Sequence, residues 1–168
     1  MITRTKRASK RSFAAVIAAA LVASVLALVA SPAGAAASVT ATKRWSGADR
    51  YATANKVANP AGTTVNQGKF VLVSGQSYAD GLAAAGLAGA VGGAMLLTEP
   101  DQLTTSVQTT MSGMASTVAQ ANRYVWVVGG TNAVKPAVVT QLVAAGWNVT
   151  RIAGTDRYAT ADAVAGYI

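Results

Sequence analysis

Hydrophobic and polar positions alternate along this chain in two patterns. Short runs, apolar at nearly every position, recur at Lys69–Gly75 (KFVLVSG), Ala94–Glu99 (AMLLTE) and Tyr124–Gly130 (YVWVVGG). A strand reads this way when both of its faces are covered. Between the runs lie stretches with small and apolar residues at helical spacing. These are Gln76–Gly93, with a helix reaching about Val91, then Leu103–Gln120 and Thr131–Gly146. Ser77 or Asp80 can cap the first, and Pro136 suits the first turn of the third. Trp147–Gly154 (WNVTRIAG) predicts a further strand, and Thr155 opens a further helix. Upstream, Val39–Trp45 can form a strand and Asn59–Gly68 is a loop of turn residues. Gly47–Ala58 predicts a helix with Ser46 as N-cap and Asp49 in the first turn, where the helix dipole favours an anion. Strands covered on both faces and separated by helices indicate a parallel sheet with right-handed crossovers. The fold class is α/β, Rossmann-like in the broad sense, with three layers.

Two apolar stretches raise the question of a membrane. LAAAGLAGAVGGAMLL (residues 82–97) is 16 residues without charge. The Gly92-Gly93 break makes it a poor continuous span, and a short small-residue helix followed by a strand explains it better. The N-terminus differs. Residues 1–11 carry five basic residues and no acid, and residues 13–30 are apolar apart from Ser24. The small-residue segment SPAGAAAS follows. Basic head, apolar middle and small-residue exit predict a secretory signal over residues 1–35, cleaved at about 35–37, and no stable membrane span afterwards. Lys10–Phe13 (KRSF) lacks one arginine of a twin-arginine signal, so the signal reads as Sec-type.

Removal of that segment changes the charge argument. The full chain has 14 basic and 6 acidic residues, a net charge of +8. Without the five basic residues of the signal, 9 remain against 6, or +3. A nucleic-acid partner loses its main support. A mild positive balance still suits an anionic wall polymer. The chain has no cysteine and no histidine. That removes a disulfide framework, the usual zinc-hydrolase ligands, and Ser-His-Asp or Cys-His catalysis. Serine–lysine or paired-carboxylate chemistry stays open on residue types alone, but no cofactor or metal is implied and the chain does not read as an enzyme. VVGGTNAV follows a strand, but G-x-G-x-x-G and the Walker pattern are both absent, so nucleotide binding is unsupported.

The chain also repeats itself. RWSGADRYATA (Arg44–Ala54) and RIAGTDRYATA (Arg151–Ala161) agree at eight of eleven positions, offset by 107 residues. These segments, with VLVSGQSYADGLAAAGLAG, AMLLTEPDQL and VWVVGGTNAV between them, resemble the successive signatures of the type 2 cell-wall-binding repeat of Gram-positive bacteria. The resemblance covers nearly all of Lys43–Ile168. It implies an exported, non-catalytic module that anchors noncovalently to an anionic secondary wall polymer or peptidoglycan-associated glycopolymer. In that family the repeats occur in tandem, often beside an amidase or protease. Residues 39–147 would be one complete repeat and 148–168 the start of a second, which leaves room for self-assembly or packing with further repeats. The chain also reads as a fragment of a larger wall protein, such as an N-acetylmuramoyl-L-alanine amidase, with its effector domain absent. Gly81 stands where the family usually has alanine.

Candidate site residues fall into two groups. Gly47, Asp49 and Tyr51, their copies Gly154, Asp156 and Tyr158, and Gly129 and Gly130 are the structural residues of the repeat. Arg50 and Arg157 either pair locally or face the polymer, where arginine suits phosphate or carboxylate. Ser74, Ser77, Asp80, Thr98, Thr131 and Asn132 lie at carboxyl ends of strands, where ligands bind in open α/β sheets. The plainer reading is that Ser77, Asp80 and Asn132 cap turns and helices. Trp45, Trp126, Trp147, Tyr78 and Tyr124 are candidates for stacking on sugars, with Trp126 placed in the core by its strand.

Overall fold

The computed structural model describes residues 44–59 and 68–168. The expected signal, residues 39–43 of the expected first strand, and residues 60–67 of the expected loop lie outside them. The described chain runs α1 (Arg50–Ala58), β1 (Lys69–Ser74), α2 (Tyr78–Val91), β2 (Ala94–Thr98) and α3 (Thr105–Met114). A 3-10 turn (Gln120–Asn122) then leads to β3 (Tyr124–Val128), α4 (Pro136–Ala144), β4 (Asn148–Ile152) and α5 (Arg157–Ala165).

The four strands form one parallel sheet in the order β2-β1-β3-β4. Phe70 stands opposite Ala94 on one side and Val125 on the other, and Val125 stands opposite Val149. β1 and β3 are the inner strands, which explains why their sequences are continuously apolar. Successive side chains point to opposite faces, so each strand feeds two cores. Phe70, Leu72, Leu96, Val125 and Val127 pack with Val107 and Met111 of α3 and with Val138 and Leu142 of α4. Val71, Val73, Val128 and Ile152 pack with Ala84 and Leu87 of α2 and with Val164 of α5. The result is the three-layer α/β fold expected from the pattern. Residues 148–168, the second repeat start by sequence, supply β4 and α5 to this same sheet.

The uncharged stretch at residues 82–97 divides into α2, a left-handed turn at Gly92 (φ 64°) and β2. None of the described helices is long and apolar enough to cross a membrane. Gly81 lies within α2, with open space where a side chain would stand.

Three element boundaries differ from the sequence reading. Asp49, not Ser46, is the N-cap of α1, because its carboxylate accepts the Ala52 N–H at 2.7 Å. The Ser46 carbonyl instead accepts from Lys56 Nζ at 2.7 Å. α3 ends at Met114 rather than near Gln120. Ala115 and Val118 still pack on the core from a turn, so apolar spacing continued where the helix did not. Arg44 and Trp45 are not in a strand.

Candidate crevice at the strand ends

The repeated segments fold alike. Asp49 and Asp156 cap their helices with nearly the same backbone, φ −141° and ψ −177° against φ −144° and ψ −176°. Asp156 Oδ1 accepts from Tyr158 N at 2.9 Å and Ala159 N at 2.8 Å. One turn later, Thr53 and Thr160 donate to the Asp49 and Asp156 carbonyls. The same hydroxyls accept the N–H of Gly47 at 2.9 Å and of Gly154 at 3.0 Å. Both glycines lie so close to the helix that a methyl group would overlap Ala52 or Ala159. G-x-D-R-Y-x-T is thus a device for starting a helix.

The two copies part company in what their arginine and tyrosine touch. Arg50 Nη1 donates to the Gly75 carbonyl at 2.7 Å, fastening α1 to the end of β1. The half-buried Tyr51 ring lies against Gly75. Burial, then the nearby Glu99 carboxylate, raises the Tyr51 hydroxyl above its usual pKa, and the Arg50 charge and Gln76 oppose this. Tyr158 is 79% exposed, and the Arg157 side chain has no hydrogen bond or ion pair among the described residues.

Arg157 instead borders a crevice of about 540 Å³ at the carboxyl ends of the strands. After β1 the chain leaves through α2 on one face of the sheet, and after β3 through α4 on the other. The connections separate between these neighbouring strands, which is where open α/β sheets bind ligands. Ser77, Tyr78 and Asp80 come from the start of α2, Gly130, Thr131 and Asn132 from the β3–α4 loop, and Gly154, Asp156 and Arg157 from the start of α5. Five of the eight candidate contact residues therefore meet: Ser77, Asp80, Thr131, Asn132 and Arg157.

The other three do not line the crevice. Arg50 is held at Gly75. Ser74 is buried, and its Oγ accepts the Gln76 N–H at 3.2 Å. Thr98 is fully buried and donates to the Gln102 carbonyl at 3.1 Å. Arg50 also borders a larger groove, about 640 Å³, between α1 and β2. That groove is walled mainly by residues such as Ala54, Val57, Met95 and Leu97 and offers few polar groups to recognise a ligand.

Ser77 and Asp80 stand at the start of α2, as a capping role requires, but make no side-chain capping bond there. Ser77 occupies the N-cap position. Asp80, three residues on, completes the S-x-x-D spacing of a capping box without forming one. The side chains of Ser77, Asp80, Thr131 and Asn132 make no hydrogen bond among the described residues. Asp80 is only 7% exposed. Its Oδ2 lies 2.9 Å from where a methyl group at Gly129 would stand, and Gly129 has φ +111°. Glycine is required there by both the backbone and the carboxylate.

One positioning residue escaped the sequence reading. Arg151 Nη1 donates to the Gly129 carbonyl at 2.6 Å, and Nη2 to the Val134 carbonyl at 2.8 Å. It clasps both ends of the loop carrying Thr131 and Asn132. Burial pulls its guanidinium down from the ordinary pKa. Its place as the first residue of the repeated segment was the available signal. Of the aromatic candidates, Trp147 is core, edge-on to Phe70 at 5.3 Å. Trp126 is half-buried, stacks on Tyr124 at 6.0 Å and donates to the Tyr167 hydroxyl at 2.8 Å. Only Tyr78 lines the crevice, and it is 77% exposed. Trp45 is exposed ahead of α1.

A parallel four-stranded sheet covered by helices on both faces, with a polar crevice at its strand ends, defines a three-layer α/β module. The chain belongs to the cell wall binding domain 2 family, whose model matches residues 44–139. It is 36% identical over 123 residues to the N-acetylmuramoyl-L-alanine amidase LytC of Bacillus subtilis (strain 168), covering 73% of this chain and 23% of that protein. Among solved structures it is similar to Cwp8 from Clostridium difficile, with TM-score 0.66 and 26% identity over 73% of this chain and 20% of that one. Cwp6 from Clostridium difficile gives TM-score 0.64 and 26% identity, over 77% and 21%. The chain thus spans roughly a fifth of the length of each relative. It is a cell-wall-binding module.

Proposed function

We propose that the chain is exported by its N-terminal segment, cleaved at about residues 35–37, and holds noncovalently to an anionic glycopolymer of the wall. The crevice at the ends of β1, β3 and β4 is the binding site. The observation that carries this reading is the set of four polar side chains, Ser77, Asp80, Thr131 and Asn132, left without protein partners in one cleft. Arg157 supplies the charged contact, suited to phosphate or carboxylate. The free N–H groups at the start of α2 add donors for an anion. The second copy, through the start of α5, forms one wall of this crevice.

The test is sedimentation with purified walls, before and after acid extraction of the secondary polymer. The signal-free chain should bind intact walls, lose binding on extracted walls, and bind less as salt rises. Equal binding to both preparations would refute the polymer as partner. The likeness to LytC covers 23% of that protein, and this chain acts by binding alone. The chain's lack of histidine and cysteine removes the usual zinc ligands. A zymogram of the signal-free chain should show no clearing.

A further inference from the structure

Asp80 does not suit a site built only for anions. A carboxylate accepts hydrogen bonds and donates none, and it repels phosphate. This one is more than nine-tenths buried, lines the crevice and has no donor among the described residues. Its carboxylate oxygens still reach solvent in the crevice, where hydroxyl groups of a ligand can replace water as donors. Gly129 leaves room for the carboxylate where any side chain would strike it. The same crevice is lined by the unpartnered hydroxyls of Ser77 and Thr131 and by the exposed Tyr78.

We infer that the crevice contains an uncharged subsite, in which Asp80 accepts hydrogen bonds from two neighbouring hydroxyls of a sugar ring lying against Tyr78. The two carboxylate oxygens take the two donors side by side. Arg157, which lines the same crevice, takes the charged group of the same polymer. The inference rests on the wall-polymer reading and divides its site in two. One half is selective for a vicinal diol and insensitive to salt, and the other is salt-sensitive and indifferent to the sugar. A polymer with the right charge but no free vicinal diol would bind poorly.

The experiment uses walls oxidised with periodate and then reduced with borohydride. Periodate cleaves the carbon–carbon bond between neighbouring hydroxyls and leaves phosphate and carboxylate in place. Reduction removes the aldehydes that would otherwise trap lysines. The wild-type signal-free chain, Asp80→Asn and Tyr78→Ala are each titrated against untreated and oxidised walls, with melting curves to show that the variants fold. Tyr78→Ala is the safeguard should Asp80→Asn not fold, since that side chain is exposed. Oxidation should weaken wild-type binding by about tenfold or more, the scale set by hydrogen bonds to a charged group. Asp80→Asn should bind untreated walls as weakly as the wild type binds oxidised ones, and lose little further on oxidation. Tyr78→Ala should weaken binding to untreated walls more than to oxidised walls. Undiminished wild-type binding to oxidised walls would overturn the diol subsite and leave wall binding standing. Equal proportional losses by wild type and Asp80→Asn would overturn it too, by placing diol recognition elsewhere. Failure of the wild type to bind untreated walls would defeat the wall-polymer reading and this inference with it.

Discussion

Arg44–Ala54 and Arg151–Ala161 are near-copies with the same helix-start geometry and different neighbours. In the first, Arg50 and Tyr51 close on the Gly75 turn. In the second, Tyr158 stands in solvent and Arg157 borders the polar crevice. The helix faces differ as well. Thr160 and Val164 of α5 are buried against the sheet and α2, whereas Val57, the counterpart of Val164, is 54% exposed. One motif therefore does two jobs. Its Gly, Asp and Thr start a helix wherever they occur, because their hydrogen bonds close within seven residues. What Arg and Tyr do depends on what the fold places opposite them.

Substitutions in the shared part should act equally in both copies. Gly47→Ala and Gly154→Ala push a methyl group into the first helical turn. Each should cost about 1–3 kcal/mol of unfolding free energy, the range for overpacking. Urea denaturation of the two variants checks this, and a cost at only one position would break the equivalence. Asp49→Ala and Asp156→Ala should each cost about 1 kcal/mol, the usual loss of an N-cap. A far larger loss for Asp156 would show that its role exceeds capping.

Tyr51 gives a smaller, pH-dependent effect. Its folded-state pKa is raised, so the unfolded chain ionises first, near the ordinary value of 10.0. The contribution is fully present below that pH and is lost as pH rises through the folded pKa. Tyr51→Phe should flatten the alkaline fall in stability, read from melting temperatures between neutral pH and the onset of alkaline unfolding. An unchanged alkaline limb would mean that Tyr51 is less enclosed than its place at Gly75 implies.

Much of the fold was legible in the sequence. Continuous apolar runs marked three of the four strands because β1 and β3 are inner strands and β2 is flanked by helices. β4 was read from WNVTRIAG despite its alternating exposure. The Gly92-Gly93 break was visible because a left-handed turn there suits glycine. The end of α3 was not visible, since Ala115 and Val118 continue to pack after the helix stops. The crevice was half legible. The rule that ligands bind at strand carboxyl ends found Ser77, Asp80, Thr131 and Asn132. It could not separate them from Ser74 and Thr98, which end their strands pointing into protein. Nor could any local pattern distinguish Arg50 from Arg157, because their immediate sequences match and only tertiary contacts divide them.

Paired alanine substitutions test that division most directly. Arg50→Ala and Arg157→Ala would be compared for melting temperature and for binding to purified walls at low and high salt. Arg50→Ala should lose about 1 kcal/mol of stability, for a charged hydrogen bond in an exposed setting, and keep its wall affinity. Arg157→Ala should melt as the wild type does and bind about tenfold more weakly at low salt, with a shallower salt dependence. Wall binding by Arg157→Ala that matches the wild type, at every salt concentration, would contradict the account.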